Sequence, residues 1–178
     1  MKKKILWITR TAVILALLVT LQVVTKTFGQ FVTGSCVNLV LALSVLLAGL
    51  PCGLVVAFFS PVLAFLLGIA PQVLTVPAIM AGNCVYVLLL HVLFAKQLWR
   101  QALALICAAV AKFLTLYGIV AGLICGVLAE HLLQTGLLKA PMLQLLPATF
   151  SWPQLVTALI GGLLAILMLP VLRKAIRG

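Results

Sequence analysis

From Gln101 to Ala129 the chain runs almost wholly apolar, and the one charge inside that stretch is Lys112. The only acidic residue among all 178 is Glu130, 18 positions further on. A continuous helix rises about 1.5 Å per residue, which would set the two roughly 27 Å apart. A stretch of this length and hydrophobicity is long enough to cross a bilayer, for which about 20 apolar residues suffice. An ammonium at membrane depth is costly, so it normally faces protein or a polar cavity and has a partner. Lys112 is left with carbonyls, water or an external anion. A bound anionic ligand is the option with functional content.

The same apolar pattern recurs along the chain. Six spans are expected, at Ile5–Thr27, Val37–Leu50, Gly53–Ile69, Val76–Ala95, Gln101–Ala129 and Trp152–Leu172. The fold class is therefore an all-α membrane protein with six transmembrane helices, in one domain over residues 1–178. Charged residues make up 7% of the chain, against about 25% in a soluble domain, which excludes a soluble fold. Met1-Lys2-Lys3-Lys4 and the apolar run behind it imitate a signal peptide. That run continues to Val24 without a small-residue cleavage site, so a retained first helix is expected. Gly49-Leu50-Pro51-Cys52-Gly53 reads as a tight turn, and Ala70-Pro71 with Val76-Pro77 brackets another. Pro61 falls inside the third span and is expected to kink it.

The basic residues sort by position. Lys2, Lys3, Lys4, Arg10, Lys96, Arg100, Arg173, Lys174 and Arg177 all fall on one side of a six-span topology, and Lys26 and Lys139 on the other. The excess of positive charge marks the cytoplasmic side, so both termini are expected there, in a bacterial cytoplasmic membrane. The net charge of +11 is scattered over helix ends rather than gathered into a stripe, which speaks against nucleic acid as a partner. The segment from Glu130 to Ser151 is external, long and amphipathic, and suits either a lid or a helix resting on the bilayer. Phe28 to Ser35, rich in Gly, Thr, Ser and Gln, reads as the first external loop.

Polar residues within the spans are few. Lys112 stands near the midplane of span five, and Asn83 and Tyr86 share one face of span four. Gln154, Thr157 and Gly161 form a polar-then-small stripe entering span six, and Gln22 and Lys26 are an i, i+4 pair at the outer end of span one. Asn38 opens span two after a Thr33-Gly34-Ser35 turn. Together these residues describe an outer-facing pocket for a small solute. Each taken singly also fits interhelical hydrogen bonding. Gly118, Gly122 and Gly126, spaced by four, offer a face for close helix packing. The five cysteines fall mostly within apolar runs, and neither they nor His91 and His131 have metal-ligand spacing, so no metal or cofactor is expected.

No span carries a carboxylate in its core, and there is no phosphate-binding loop and no catalytic carboxylate pair. A self-powered carrier and an enzyme are both disfavoured. A protein that binds a solute without the means to drive it needs a partner that has them. A non-transporting membrane scaffold or assembly subunit, with the glycine stripe as its oligomer face, is the alternative.

The size, the six spans, Ala12-x-x-x-Ala16 on span one, and loops over an outer-facing pocket resemble the substrate-binding S component of energy-coupling factor (ECF) transporters. Thr33-Gly34-Ser35-Cys36-Val37-Asn38 and Ala81-Gly82-Asn83 are also similar to segments of members whose substrate is unassigned. The resemblance spans essentially the whole chain. It implies a membrane subunit that binds a vitamin-like solute, and a transmembrane T component that docks on Ala12 and Ala16. It also implies two cytoplasmic ATPases that supply energy while the S component topples to release its cargo. The first loop and spans four to six would shape the site.

Overall fold

The structure is a computed structural model that describes residues 2–69 and 72–177. The expected turn at Ala70-Pro71 lies outside the described residues. All regular structure among the described residues is helical. Helix α1 (Lys2–Thr25) ends in a 3₁₀ turn, Lys26–Phe28, and is followed by α2 (Gln30–Ala48) and α3 (Leu50–Leu66). A second 3₁₀ turn, Val73–Thr75, leads into α4 (Val76–Leu93), and α5 spans Leu98–Tyr117. The chain then continues as a π-helix, Gly118–Val127, before two short helices, α6 (Ala129–Gln134) and α7 (Met142–Thr149), and the long α8 (Trp152–Arg177). Helices α1, α2, α4, α5 with its π extension, and α8 together with α7 are long and apolar enough to cross a membrane. Helix α3, at 17 residues, is shorter.

Several boundaries differ from the sequence expectation. The external loop expected at Phe28–Ser35 is mostly helix, because α2 begins at Gln30 and carries Thr33, Gly34 and Ser35 within it. Span two is consequently 19 residues long rather than short, and Asn38 lies well inside it instead of opening it. The break between α2 and α3 contracts to Gly49 alone (φ +89°), with Pro51, Cys52 and Gly53 already helical. Proline suits that first turn because its missing N–H has no acceptor there. Helix α3 ends at Leu66, and α8 runs on past Leu172 to Arg177.

The main core between the helices is apolar, built from residues such as Leu18, Leu41, Val56, Val87 and Leu90, yet the outer surface is apolar as well and several polar groups are buried. Lys112, Asn38, Asn83, Ser60 and Thr157 are buried, while Leu163, Leu167 and Val171 of α8 and Ile5 and Ile8 of α1 are exposed. An apolar surrounding accepts such a surface at no cost, and polar groups then find their partners inside. Close helix approach sets the geometry. A Cβ on Gly161 would collide with the Ser35 carbonyl, the Leu39 amide nitrogen and the Asn38 side chain, so its absence lets α8 lie directly on the backbone of α2. The glycine face expected on span five does not pack in this way. Gly118 and Gly122 meet nothing within 4 Å. Their i, i+4 alignment presumes α-helical periodicity, and this segment is π-helical, with the Leu128 N–H reaching back five residues to the Leu123 carbonyl at 2.9 Å.

The segment between α5 and α8 folds as a cap. Leu132, Leu138, Leu146 and Phe150 are buried against Leu116, Val120 and Ile124 of the fifth span and Ala78 of α4, a second apolar core separate from the main one. Two glutamine amides tie this cap to the bundle. Gln30 Nε2 donates to the Thr149 carbonyl at 2.8 Å, and Gln72 Nε2 donates to the Leu137 carbonyl at 2.5 Å. The basic residues gather at the other end, at the start of α1, between α4 and α5, and at the end of α8, where Arg173 donates to the Leu46 carbonyl closing α2 (3.2 Å).

Candidate functional site

Under the cap, where α1 and α3 finish and α2, α4 and α8 begin, lies a cavity of about 360 Å³. Helices α1 to α5, α7 and α8 all contribute to its wall. Val37, Pro61, Ala64, Ile69, Ile79 and Phe150 make it largely apolar, and a small set of polar groups projects into it. A small-molecule site has this composition.

Lys112 is the chemical centre. Its side chain is 2% exposed, and its Nζ donates to Asn38 Oδ1 at 2.6 Å and to Asn83 Oδ1 at 2.7 Å. Nζ also stands 5.4 Å from the centroid of the buried Tyr86 ring, within reach of a cation–π attraction. An ammonium has three N–H donors, so two are engaged here and one is left. None of these partners carries a charge. Glu130 is exposed on α6, away from the cavity wall. The positive charge is therefore hydrogen-bonded but not neutralised. A hydrogen bond to a charged group contributes about 1.5–3 kcal/mol, so both asparagine oxygens matter to holding the ammonium here.

The supporting contacts fix those asparagines. Asn38 Nδ2 donates to the Gly34 carbonyl at 2.9 Å and to Thr157 Oγ1 at 3.4 Å, which leaves its oxygen turned to Lys112. Thr157 in turn donates to the Gln154 carbonyl at 3.2 Å. Tyr86 Oη donates to the Ala158 carbonyl of α8 at 3.1 Å, which anchors the ring beside the ammonium.

Of the residues singled out in the sequence, Lys112, Asn83, Asn38, Gln154, Gln22 and Lys26 line this one cavity. Tyr86 and Thr157 do not line it. They brace Lys112 and Asn38 from behind. Lys26 is exposed, and its Nζ donates to the Gly68 carbonyl at 2.8 Å, tying the end of α1 to the turn after α3. Ala12 and Ala16 lie on the exposed face of α1, remote from the cavity wall. Sequence reasoning passed over Ser60 and Gln30. Ser60 is the one hydroxyl of α3 and precedes Pro61, but a lone serine in an apolar helix gives little signal. Gln30 stood in what reads as a flexible loop.

Three buried side-chain atoms on this cavity have no partner among the described residues: Gln22 Oε1, Ser60 Oγ and Asn83 Nδ2. Each such group costs about 1–3 kcal/mol when left unpaired, and native proteins keep few of them. All three converge on one space, next to a cation that has no counter-ion among the described residues.

Comparison with known proteins agrees on the class of molecule. The family model of the substrate-specific component of ECF transporters matches residues 8–173. Comparison with curated proteins gives no match, and comparison with solved structures gives none either. The matched stretch takes in the greater part of α1 and α8, every helix between them and the whole cavity wall. The chain belongs to the ECF transporter family of substrate-specific components, multi-pass membrane subunits of a transporter rather than enzymes.

Proposed function

We propose that this subunit captures a small, water-soluble, vitamin-like micronutrient carrying a carboxylate or similar anion, and holds it in the cavity beneath the α6–α7 cap. The observation that carries this reading is Lys112, a buried ammonium that faces the cavity with two neutral acceptors and no counter-ion. Lys112 supplies the charge, Asn83 and Gln154 add directional hydrogen bonds, and Asn38, Tyr86 and Thr157 keep the ammonium aimed. Lys26 and Gln22 complete the rim and the α1 side. In this reading α3 is a sixth, short crossing, with both termini in the cytoplasm and the cap outside, which is supported by the basic residues at one end of the bundle and the positive-inside rule.

Transport draws its energy from partners. A transmembrane T component docks on the exposed Ala12 and Ala16 face of α1, and two cytoplasmic ATPases drive the cycle. Small side chains there let a partner helix approach closely. Replacing Ala12 and Ala16 together by Leu is expected to leave solute binding intact and to abolish copurification with the T component. Uptake that survives the double substitution would remove this face from the docking role. For the site itself, one charge-assisted hydrogen bond contributes about 1.5–3 kcal/mol, so Lys112→Met is expected to weaken solute binding at least about tenfold. Unchanged affinity in a folded Lys112→Met protein would take Lys112 out of the site.

A further inference from the structure

The turn between α4 and α5 has its acceptors occupied and its cations free. Gln101 Nε2 donates to the carbonyls of Ala95 and Lys96, at 3.1 and 3.3 Å. The Gln97 carbonyl accepts from the backbone N–H groups of Arg100 and Gln101, both at 3.1 Å. Lys96 and Arg100 are exposed, and the chain has no carboxylate to pair with them there, because its one acidic residue, Glu130, lies in the cap. The Arg100 guanidinium lies over the Trp99 ring, 5.2 Å from its centroid. That stacking occupies its face and leaves its N–H edges for an anion. Beside these cations the surface is apolar. Leu98 is 79% exposed and Trp99 59%. Trp99 also heads a line of exposed side chains, Leu103, Ile106, Val110 and Leu114, at helical spacing along one face of α5. The line runs about 22 Å at 1.5 Å per residue, against about 15 Å for the hydrocarbon of one leaflet.

We propose that this turn binds an anionic phospholipid, with the headgroup phosphate held by Lys96 and Arg100 and an acyl chain lying along the α5 face below Trp99. None of these residues lines the cavity, so the inference stands apart from the reading of the solute site. Charge and apolar surface follow one another here in the order in which a phospholipid presents them. Tryptophan settles at the level of the headgroups, and Lys and Arg beside it attract anionic lipid. A zwitterionic headgroup cancels its own phosphate charge, so the two cations favour a lipid with net negative charge. An acidic peptide or free phosphate would satisfy Lys96 and Arg100 but make no use of the exposed α5 face that continues from them.

Trp99 can report on the site itself. Trp7 and Trp152 are both exposed, and replacing them by Phe leaves Trp99 as the one indole in the chain. The full-length Trp7→Phe, Trp152→Phe protein is reconstituted into vesicles of phosphatidylcholine and phosphatidylglycerol, with brominated acyl chains on one lipid or the other. Bromine quenches an indole only near contact. Phosphatidylglycerol is expected to occupy the Trp99 contact at least about fivefold more strongly than phosphatidylcholine. Adding Lys96→Gln and Arg100→Gln should bring that ratio close to one, whereas Lys4→Gln with Arg10→Gln, which removes the same charge from α1, should preserve it. Equal quenching by the two lipids would overturn the proposal, and so would a ratio that falls as far in the α1 variant. Displacement of the brominated phosphatidylglycerol by inorganic phosphate, beyond a sodium chloride control of equal ionic strength, would replace the lipid by a simple phosphate site. Should the tryptophan variant fail to fold, native mass spectrometry of the wild-type protein with both lipids added in equal amounts decides the matter. Preferential retention of phosphatidylglycerol is expected there, and equal retention of the two would overturn the proposal.

Discussion

Lys112 and its partners sit deep among apolar helices and are held by directed hydrogen bonds. Leu132, Leu138, Leu146 and Phe150 sit beyond the last turns of those helices and are held by apolar contact. The floor of the cavity is thus polar where its surroundings are apolar, and the cap over it is built the other way. Hydrogen bonds fix angle and distance, so the floor has one arrangement in which both asparagine oxygens face the ammonium. Apolar contact is non-directional, so the cap's seat is less sharply defined than the floor's. Among the described residues, two glutamine side-chain hydrogen bonds, from Gln30 and Gln72, give the cap a definite seat. The π-helical stretch Gly118–Val127 joins the two regions, with Gly118 and Gly122 facing open space on one side and Val120 and Ile124 buried in the cap's core on the other.

The contrast is open to attack at both ends. The largest effect is expected from Leu146→Ala in the cap. Losing a buried leucine costs about 2–5 kcal/mol, enough to raise cap opening strongly, and amide exchange should accelerate across residues 129–150 while α2 and α8 keep their protection. Uniform acceleration over the whole chain would show that cap and floor are one cooperative unit. Next comes Lys112→Met, which should abolish the gain in melting temperature conferred by the solute. It should lower the melting temperature of the empty protein only modestly, because removing the ammonium relieves its desolvation while two asparagine oxygens lose their partner. A collapse of the empty Lys112→Met protein would mean that the ammonium is structural. The smallest effect belongs to Gln30→Ala. One exposed neutral hydrogen bond contributes about 0.5–1.5 kcal/mol at most, so solute dissociation should quicken a few-fold with the association rate unchanged. A slower association instead would place Gln30 in the entry path rather than in the tie between α2 and the cap.

Much of the floor was legible in the sequence because charge and amide groups are so rare in these helices. Lys112, Asn83, Asn38 and Gln22 stand out against apolar neighbours, and the Gln154-Thr157-Gly161 stripe marks the seam where α8 meets α2. What one dimension hides is pairing. Asn38 and Lys112 are 74 residues apart, and no local pattern joins them. Helix boundaries failed where intrinsic preference was overridden. Thr33-Gly34-Ser35 has poor helix propensity, yet it is helical because Gly34 leaves room for Thr157, whose side chain would crowd a Cβ there at 3.0 Å. Within this chain no helix packs on Gly118 or Gly122 of span five, because spacing by four aligns residues only on an α-helix, and nothing in their identity announced the wider π turn.

The most direct measurement is mass spectrometry of the solute released on denaturing the detergent-purified protein, with Lys112→Met purified in parallel. A single anionic small molecule, near one per protein in the wild type and absent from Lys112→Met, is the predicted result. The account is contradicted if the released molecule is uncharged or cationic, or if Lys112→Met carries it at full occupancy.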